Sequence, residues 1–370
     1  MSFAEALHRF DWPRLRDRME KVSVSDVQSV LRRSQLDDAD LPLLFSPAAD
    51  DLLEAMAQRS AAITAHRFGK IVQLYAPLYL SNECINDCRY CGFAVRHDIP
   101  RRTLTVDEAL AEADILWQEG FRHILLVSGE APRAFQVADL EMVVAEIAPR
   151  FASIGIEVFP MDESDYRSLE RAGVDNLTLY QETYDRGLYA ELHRGPKADF
   201  DGRLRAVEAG GIAGFRSLGV GALLGLADWR AEGLAVAYHG RYLAKRFWKS
   251  RVAVSFPRLC PAEGGFTPRV AVSDRDLAHL IAAIRLTLPD AEIVVSTRES
   301  AALRDRLIPL GVTRMSAGSK TSVGGYRDGA LASGRQFAVH DSRSPKVVAR
   351  AIENAGREAV WKDFDEGFRK

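Results

Sequence analysis

The sequence contains only four cysteines among its 370 residues. It also lacks any apolar run approaching the ~18 residues that a membrane-spanning helix needs, so no membrane partner is expected. Its first residues, MSFAEALHRFDWPRLRDR, contain no apolar segment of the secretory type, and we therefore expect a cytoplasmic protein. In a reducing compartment, clustered cysteines point to metal binding or catalysis rather than to disulfides.

An excess of charge of either sign is also absent. Lysine and arginine total 49 against 51 for aspartate and glutamate, a net charge of −2, so neither nucleic acid nor an anionic membrane is an expected partner. The chain shows no fixed repeat and no low-complexity tract. Its hydrophobic fraction of 47% nevertheless suffices for a large core.

Short runs typical of buried strands alternate with longer helical patterns along the chain. This alternation predicts βαβ units and a parallel sheet. Eight units in about 250 residues are the usual size of a (β/α)₈ barrel, whereas a doubly wound open sheet is the alternative. The predicted strands are 71–80, 123–129, 156–161, 176–182, 215–225, 252–259, 292–297 and 312–319.

The chain is expected to have three segments. Residues 1–66 are predicted to form an N-terminal helical extension, and 67–320 to form an α/β barrel of the TIM type. Residues 321–370 are predicted to form a C-terminal loop and helix packed on the barrel. Helix signals accompany this division; for example, Thr105 and Glu108 have the spacing of a capping box.

Cys84, Cys88 and Cys91 have C-x₃-C-x₂-C spacing directly after the first predicted strand. They are therefore expected in the first βα loop, at the C-terminal mouth where barrel enzymes carry their chemistry. A structural zinc site needs four ligands, and His97 is the nearby candidate for a fourth, because Cys260 is far along the chain. Three thiolates instead suit a [4Fe–4S] cluster with one iron left open for a substrate or cofactor.

The stretch CINDCRYCGF, residues 84–93, resembles the cluster loop of the radical S-adenosylmethionine (SAM) superfamily. This resemblance implies that the open iron binds the amino and carboxylate groups of SAM. It also implies that one-electron reduction cleaves SAM to methionine and a 5′-deoxyadenosyl radical. The loop by itself indicates only the superfamily.

Motifs elsewhere in the chain narrow the resemblance. From about residue 70 to residue 370 the sequence is similar to the tyrosine lyases of bacterial thiamine synthesis, the 2-iminoacetate synthases. That resemblance implies cleavage of the Cα–Cβ bond of L-tyrosine to p-cresol and 2-iminoacetate, which thiazole synthase then uses. The motifs are PLYLSNECINDCRYCGF, LLVSGE, YQETY, HRGPKADF, LGVGALLGL, SFPRL, STRES, SAGSKTSVGGY and VWKDFD.

Other activities are less compatible with these motifs. A tyrosine lyase of hydrogenase assembly carries a further cysteine cluster in a C-terminal extension, whereas no cysteine follows Cys260 here. A sibling lyase acting on tryptophan is the alternative, and the polarity of the pocket would discriminate the two. An iron–sulfur electron carrier is disfavoured because carriers use four ligands per cluster and are usually small. A flavodoxin- or ferredoxin-type protein is the expected reductant.

Residues at three strand ends are candidates for binding SAM. Ser128, Gly129 and Glu130 close the second predicted strand, where the ammonium group of SAM needs carbonyl and carboxylate partners. The alternative for Glu130 is a helix-capping carboxylate. Glu182 closes the fourth strand and is suited to accept hydrogen bonds from both ribose hydroxyls, with a salt bridge at the mouth as the alternative.

Arg203 and Leu224 complete the predicted SAM site. Arginine binds carboxylates in bidentate fashion, so Arg203 is a candidate partner for the carboxylate of SAM; a surface helix arginine is the alternative. Leu224 lies in the segment that contacts adenine in the superfamily. The alternative for that segment is a strand that needs glycine for tight packing.

Three residues are candidates for contacting the amino-acid substrate. Arg298 follows the seventh predicted strand and offers a fixed positive charge for a carboxylate. An ion-paired arginine at a helix start is the alternative, although the helix dipole disfavours it. Ser316, at the end of the eighth strand, could add a hydrogen bond. Tyr79 could orient the substrate amine, with core packing as the alternative.

Overall fold

Eight parallel strands close into a barrel in the computed structural model, which describes residues 2–329 and 334–362. Each strand pairs with the next along the chain, and the eighth pairs with the first. The predicted (β/α)₈ barrel is therefore confirmed. The strands are β1 Ile71–Ser81, β2 His123–Ser128, β3 Ser153–Glu157, β4 Asn176–Thr178, β5 Ser217–Gly221, β6 Arg251–Ser255, β7 Glu292–Val295 and β8 Arg314–Ser316.

Helices precede, surround and follow the barrel. The predicted capping box of Thr105 and Glu108 is present at the start of α6, and Ser273 caps α12 in the same way. The helices are α1 Phe3–Leu7, α2 Trp12–Glu20, α3 Val24–Leu31, α4 Leu41–Leu44, α5 Leu53–Phe68, α6 Val106–Gln118, α7 Val137–Ile147, α8 Glu163–Ala172, α9 Arg186–Leu192, α10 Phe200–Ala213, α11 Trp229–Arg246, α12 Asp274–Thr287, α13 Ala301–Leu307 and α14 Pro345–Asn354.

The predictions about strands need correction in their bounds and in their number; the fourth strand, for example, was predicted to run to Glu182 but ends at Thr178. The third strand was predicted at 156–161 but lies at Ser153–Glu157. Pro160 cannot donate a ladder hydrogen bond, so the strand ends before it, although the apolar residues continue to Met161. A ninth strand, β9 (Glu358–Val360), was not predicted; it runs parallel to the first residues of β1, outside the ring of eight. The end of the VWKDFD motif, from residue 363, lies outside the described residues.

The N-terminal extension and the C-terminal segment share one hydrophobic core with the barrel. Phe3 of α1 is buried, and its ring stacks on His239 of α11 with a centroid separation of 4.2 Å. Its backbone N–H donates to Glu208 of α10 over 2.7 Å. Ile352 of α14 belongs to the same core. Among the described residues, no helix is both long enough and apolar enough to span a membrane.

The strand register determines which side chains face the barrel interior. Leu125 lines a cavity of about 20 Å³ to which seven of the eight strands contribute, and it pairs with Gly155. Because side chains alternate along a strand, the residues two positions further also face inward. Val127 pairs with Tyr79 on one side and with Glu157 on the other. Tyr79, Val127 and Glu157 therefore form one inward-facing layer near the mouth.

Candidate active site

The three clustered cysteines lie in the loop that follows β1, at the C-terminal mouth of the barrel. Neighbouring segments hold this loop through its backbone: Ile85 N–H donates to the Glu130 carbonyl over 2.9 Å, and Asp87 N–H donates to the Arg194 carbonyl over 3.0 Å. The guanidinium of Arg101, which sequence reasoning missed, donates to four carbonyls of the loop region. Those carbonyls belong to Asn82, Phe93, Ala94 and His97.

The thiols of this loop are withdrawn from water. Cys88 is buried, and Cys84 and Cys91 are partly buried. Burial raises the pKa of the Cys88 thiol to about 12, with Lys197 opposing the shift and the other two cysteines adding to it. Thiolates withdrawn from water in this way require a compensating cation, and a metal cluster supplies one. The donor set therefore suits thiolate ligation of iron.

Among the described residues, no three histidine, cysteine, aspartate or glutamate side chains converge to hold one metal ion. This observation gives no support to a zinc site that includes His97. A [4Fe–4S] cluster takes each thiolate on a different iron, so its ligands stand further apart than those of one ion. Cys260 lies elsewhere, with Sγ 3.6 Å from the carbonyl oxygen of Arg298.

Tyr90, between the second and third cysteines, is tied to the loop after α9. His193 Nδ1 lies 2.8 Å from the Tyr189 carbonyl oxygen, to which it must donate. His193 Nε2 is then an acceptor, and the Tyr90 hydroxyl donates to it over 2.7 Å. Burial lowers the pKa of His193 to about 3, which keeps the imidazole neutral in this role. The pair fixes the ring of Tyr90 beside the cysteines.

The end of β2, with Ser128, Gly129 and Glu130, lies against the cysteine loop. A Cβ atom on Gly129 would stand 2.3 Å from the Glu83 carbonyl oxygen, so only glycine permits this contact. Glu130 accepts a hydrogen bond from Asn86 Nδ2 over 2.6 Å. The Ser128 hydroxyl is buried and has no hydrogen-bond partner among the described residues. An unsatisfied hydroxyl beside a glycine cradle fits a polar cofactor such as SAM.

Glu182 is held in a strained conformation at the mouth. Its φ of 70° is the one positive value of a non-glycine residue in the described part of the chain, and such backbones cluster at functional sites. Lys197 Nζ donates to its carboxylate over 2.7 Å, so the predicted alternative of a salt bridge is also present. Burial opposes ionisation of Glu182, but Lys197 and Arg203 outweigh it and lower its pKa. Lys197, in the HRGPKADF motif, was missed.

A second carboxylate, on α11, accepts hydrogen bonds from the two residues that follow Glu182. Glu232 of α11 is buried and accepts hydrogen bonds from the Thr183 hydroxyl and from the Tyr184 N–H, the latter over 2.9 Å. Tyr184 in turn pairs through its hydroxyl with His239 Nδ1 over 2.7 Å. The residues that follow Glu182 are thus anchored to α11, which keeps the strained backbone in place.

Arg203 and Leu224 occupy different environments. Arg203 is 8% exposed and donates through Nε to the Tyr180 carbonyl over 2.6 Å, so the alternative of a surface arginine is wrong. Leu224 is part of the main hydrophobic core. Its neighbour Leu223 instead packs in a smaller cluster with Cys88 and Tyr90. Leu223 is therefore the nearer apolar neighbour of the cysteine loop, and the predicted contact of Leu224 with adenine stays a prediction.

The three predicted substrate residues come from β1, from the segment after β7 and from β8. The Tyr79 hydroxyl donates to Gln336 Oε1 over 2.6 Å. Ser316 Oγ is buried and accepts from the Thr297 N–H over 3.1 Å. The guanidinium carbon of Arg298 lies 3.3 Å from the centroid of the Phe337 ring. Gln336 and Phe337 come from the C-terminal segment, and sequence reasoning gave no signal for either.

Arg298 keeps its charge available. It forms no ion pair within the described ranges 2–329 and 334–362, so the predicted alternative of an ion-paired helix arginine is not what the structure has. Glu299, the residue after Arg298, pairs instead with Arg258, which contacts its carboxylate through both Nε and a terminal nitrogen. A guanidinium that rests on an aromatic ring and has no carboxylate partner can bind the carboxylate of a ligand.

Together these features define a class of protein. A (β/α)₈ barrel with three thiols in its first βα loop, and with polar groups at the next strand ends, is a radical SAM enzyme. The chain matches the radical SAM superfamily over residues 78–234. It matches the biotin and thiamin synthesis associated domain over residues 255–358. Enzymes of this superfamily use a [4Fe–4S] cluster and SAM, and the residues described above fit both.

The particular family follows from the whole-chain comparison. The chain belongs to the 2-iminoacetate synthase family: it is 41% identical to the 2-iminoacetate synthase of Escherichia coli K12 over 366 residues, covering 98% of this chain and 97% of that protein. The Salmonella typhimurium enzyme gives the same identity and coverage. A solved structure of HydG, a maturase of the [FeFe]-hydrogenase, superposes with a TM-score of 0.88 at 30% identity over 95% of this chain and 79% of that one.

Proposed function

We propose that this protein cleaves the Cα–Cβ bond of L-tyrosine to 2-iminoacetate and p-cresol, for synthesis of the thiazole ring of thiamine. The observation that carries this proposal is the 41% identity to 2-iminoacetate synthase along 98% of the chain. The site agrees with it, because the thiol-bearing loop after β1 and an arginine after β7 without an ion pair in the described structure lie on one barrel.

When bound, the cluster and SAM would supply a deoxyadenosyl radical that removes a hydrogen atom from the substrate. In the proposed site Cys84, Cys88 and Cys91 hold the cluster. Ser128, Gly129, Glu130, Glu182, Arg203 and Leu224 line the place of SAM. Lys197 keeps Glu182 ionised, so that this carboxylate can accept hydrogen bonds from two hydroxyl groups.

Three side chains are proposed to position tyrosine. Arg298 binds its carboxylate, and Ser316 adds a hydrogen bond beside it. Tyr79, whose pKa is raised well above the usual value mainly by burial, stays a neutral phenol; its hydroxyl donates to Gln336, and its oxygen can accept a hydrogen bond from the substrate amine. A closed barrel keeps water away from a reactive carbon radical, and fixed geometry directs it to one hydrogen atom.

An anaerobic assay tests this function. The purified enzyme, with its cluster reconstituted, is incubated with SAM, dithionite and either tyrosine or tryptophan. We expect p-cresol together with glyoxylate, the hydrolysis product of 2-iminoacetate, from tyrosine and no indole product from tryptophan. Deoxyadenosine without p-cresol, accompanied by an indole product from tryptophan, would reject tyrosine as the substrate.

Two protein partners are part of the proposal. A thiazole synthase would receive the imine, which hydrolyses in water, and a flavodoxin- or ferredoxin-type protein would supply electrons. Reduced thiols also suit a cytoplasmic location. Co-purification with thiazole synthase, and faster p-cresol formation with reduced flavodoxin than with dithionite, would support these partners.

A further inference from the structure

Glu157, the last residue of β3, has no role in the site as proposed so far. Its pairing with Val127, which also pairs with Tyr79, directs its side chain into the barrel. It is partly buried. Within the described residues its carboxylate has no hydrogen-bond or ion-pair partner. A partly buried carboxylate that faces the barrel interior without a partner is costly to keep ionised, and a cationic group of a ligand would offset that cost.

Glu157 is influenced by charged residues of both the proposed cofactor site and the proposed substrate site. Glu182 is its strongest electrostatic neighbour, on the proposed cofactor side, and Arg298 is the next, on the proposed substrate side. Burial and Glu182 raise the pKa of Glu157 to about 7, and Arg298 only partly offsets this. Although Glu157 and Arg298 carry opposite charges, they form no ion pair with each other in the described structure.

We propose that Glu157 binds the α-ammonium group of the amino-acid substrate while Arg298 binds its carboxylate. This inference rests on the proposed function, which requires an amino acid in this pocket. An acidic and a basic side chain that face one space without pairing are complementary to a zwitterion, whose two charges sit on one carbon.

The position of Glu157 favours the ammonium over the phenol of tyrosine. The bond to be broken starts at Cα, which carries both the carboxylate and the ammonium, so the residues that bind these two groups must both lie near Cα. Glu157 ends β3 and Arg298 follows β7, and these strands stand opposite one another in the ring of eight, so both residues border the same interior space. The phenol stands at the far end of the substrate side chain, away from both anchors.

Binding of three related ligands tests the proposal. The cluster-loaded enzyme with SAM is kept oxidised, so that no turnover occurs, and ligand affinity is measured by equilibrium dialysis. The probes are L-tyrosine, L-phenylalanine, which lacks the phenol, and 3-(4-hydroxyphenyl)propanoate, which lacks the ammonium. We expect Glu157→Gln to weaken tyrosine and phenylalanine alike, by about 10- to 100-fold. The propanoate should bind wild type and variant within about twofold.

Two further variants and a cofactor measurement complete the test. Glu170→Gln, on the exposed face of α8, is the matched control and should leave all three affinities unchanged. Glu157→Asp keeps the charge and should give an intermediate loss, which provides a second measurement if Glu157→Gln folds poorly. A loss confined to the two phenolic ligands would place Glu157 at the phenol and overturn the proposal. An equal loss of SAM affinity would overturn it by placing Glu157 in the cofactor site.

The outcome is separable from that of the proposed function. If wild-type protein binds tyrosine with the expected dependence on Glu157 but forms no p-cresol, the proposed function is rejected and the proposed role of Glu157 is supported. If tryptophan is the substrate, the same comparison is made with tryptophan and indole-3-propanoate. If p-cresol forms and Glu157→Gln binds tyrosine like wild type, the proposed role of Glu157 is rejected and the proposed function is supported.

Discussion

The two halves of the barrel mouth differ in how far their charged groups are already paired. On the cofactor side, Glu182 is paired with Lys197 and Glu130 with Asn86, and the cysteine loop is tied down through its backbone. On the substrate side, Glu157 has no partner among the described residues, and Arg298 rests on an aromatic ring. The first half is organised before any ligand arrives, whereas the second leaves opposite charges free for one.

This difference suits a two-ligand enzyme. A preorganised cofactor site loses little entropy on binding, and SAM must be held in one geometry for controlled radical chemistry. The substrate side obtains its complementarity from charges that are satisfied only when a zwitterion is present. Variants should therefore separate the halves by ligand: changes on the cofactor side should weaken SAM binding, and changes on the substrate side should weaken tyrosine binding.

The largest effect is expected from the cysteine loop. Removing one thiolate from a cluster that has three protein ligands leaves two irons open, and we expect Cys84→Ala protein to lose the cluster and all SAM cleavage. Iron content and the visible absorption spectrum of anaerobically purified protein measure this. Cys260→Ser is the matched control, since Cys260 lies outside the loop. Equal bleaching of both variants would contradict a three-thiolate site.

The next effect is expected at Glu182. Glu182→Gln leaves the ammonium of Lys197 buried without its carboxylate, and breaking a buried pair costs about 3–5 kcal/mol. We expect a lower free energy of unfolding and weaker SAM binding, with the tyrosine affinity of the remaining SAM-bound protein little changed. Urea denaturation and equilibrium dialysis measure the two quantities. Glu163→Gln, which removes an exposed pair with Arg167, should change stability by less than about 1 kcal/mol.

A smaller and more selective effect is expected at Arg298. Arg298→Lys keeps the charge but loses the planar fork that binds a carboxylate in two places. Losing one charge-assisted contact costs about 1.5–3 kcal/mol, or roughly 10- to 150-fold in tyrosine affinity. SAM affinity should hardly change, and Arg167→Lys on the exposed face of α8 should affect neither ligand. Equal losses for SAM and tyrosine would move Arg298 to the cofactor side and break the comparison.

The features of the proposed cofactor side are visible in the sequence because their signals are local. Three cysteines within eight positions, and motifs that contain Glu130 and Glu182, each follow a strand whose apolar pattern is visible. Lys197 was missed although its motif was recognised. Its role depends on a pairing across 15 residues, which the spacing of residues does not reveal.

The substrate side was less predictable because its partners meet only in the folded chain. Gln336 reaches Tyr79 across 257 residues, and Phe337 reaches Arg298 from the same C-terminal segment. Glu157 was hidden for another reason: the third strand was predicted three residues too late, which obscured that Glu157 ends it. A correct register would have placed this carboxylate inside the barrel from the sequence alone.

The smallest expected effect is on the pH dependence of the free energy of unfolding, to which Glu232 contributes on the cofactor side and Glu157 on the substrate side. Burial raises the pKa of Glu232 from 4.5 to about 7, although the Thr183 and Tyr184 hydrogen bonds oppose the shift. The folded protein therefore keeps a proton that the unfolded chain releases between pH about 4.5 and about 7. The contribution of Glu232 is fully present below this window, is lost as the pH rises through it, and changes no further above it.

Glu232→Gln should therefore make the fall in unfolding free energy between pH about 5 and about 7 shallower, by at most ~1.4 kcal/mol per pH unit. Urea denaturation at several pH values measures this slope. Glu157 has a similarly raised pKa on the substrate side, so Glu157→Gln should reduce the slope in the same window. The two variants should differ in tyrosine binding, because only Glu157 faces the substrate. A slope unchanged in Glu232→Gln would show that the carboxyl group behind Glu182 is already ionised near pH 5.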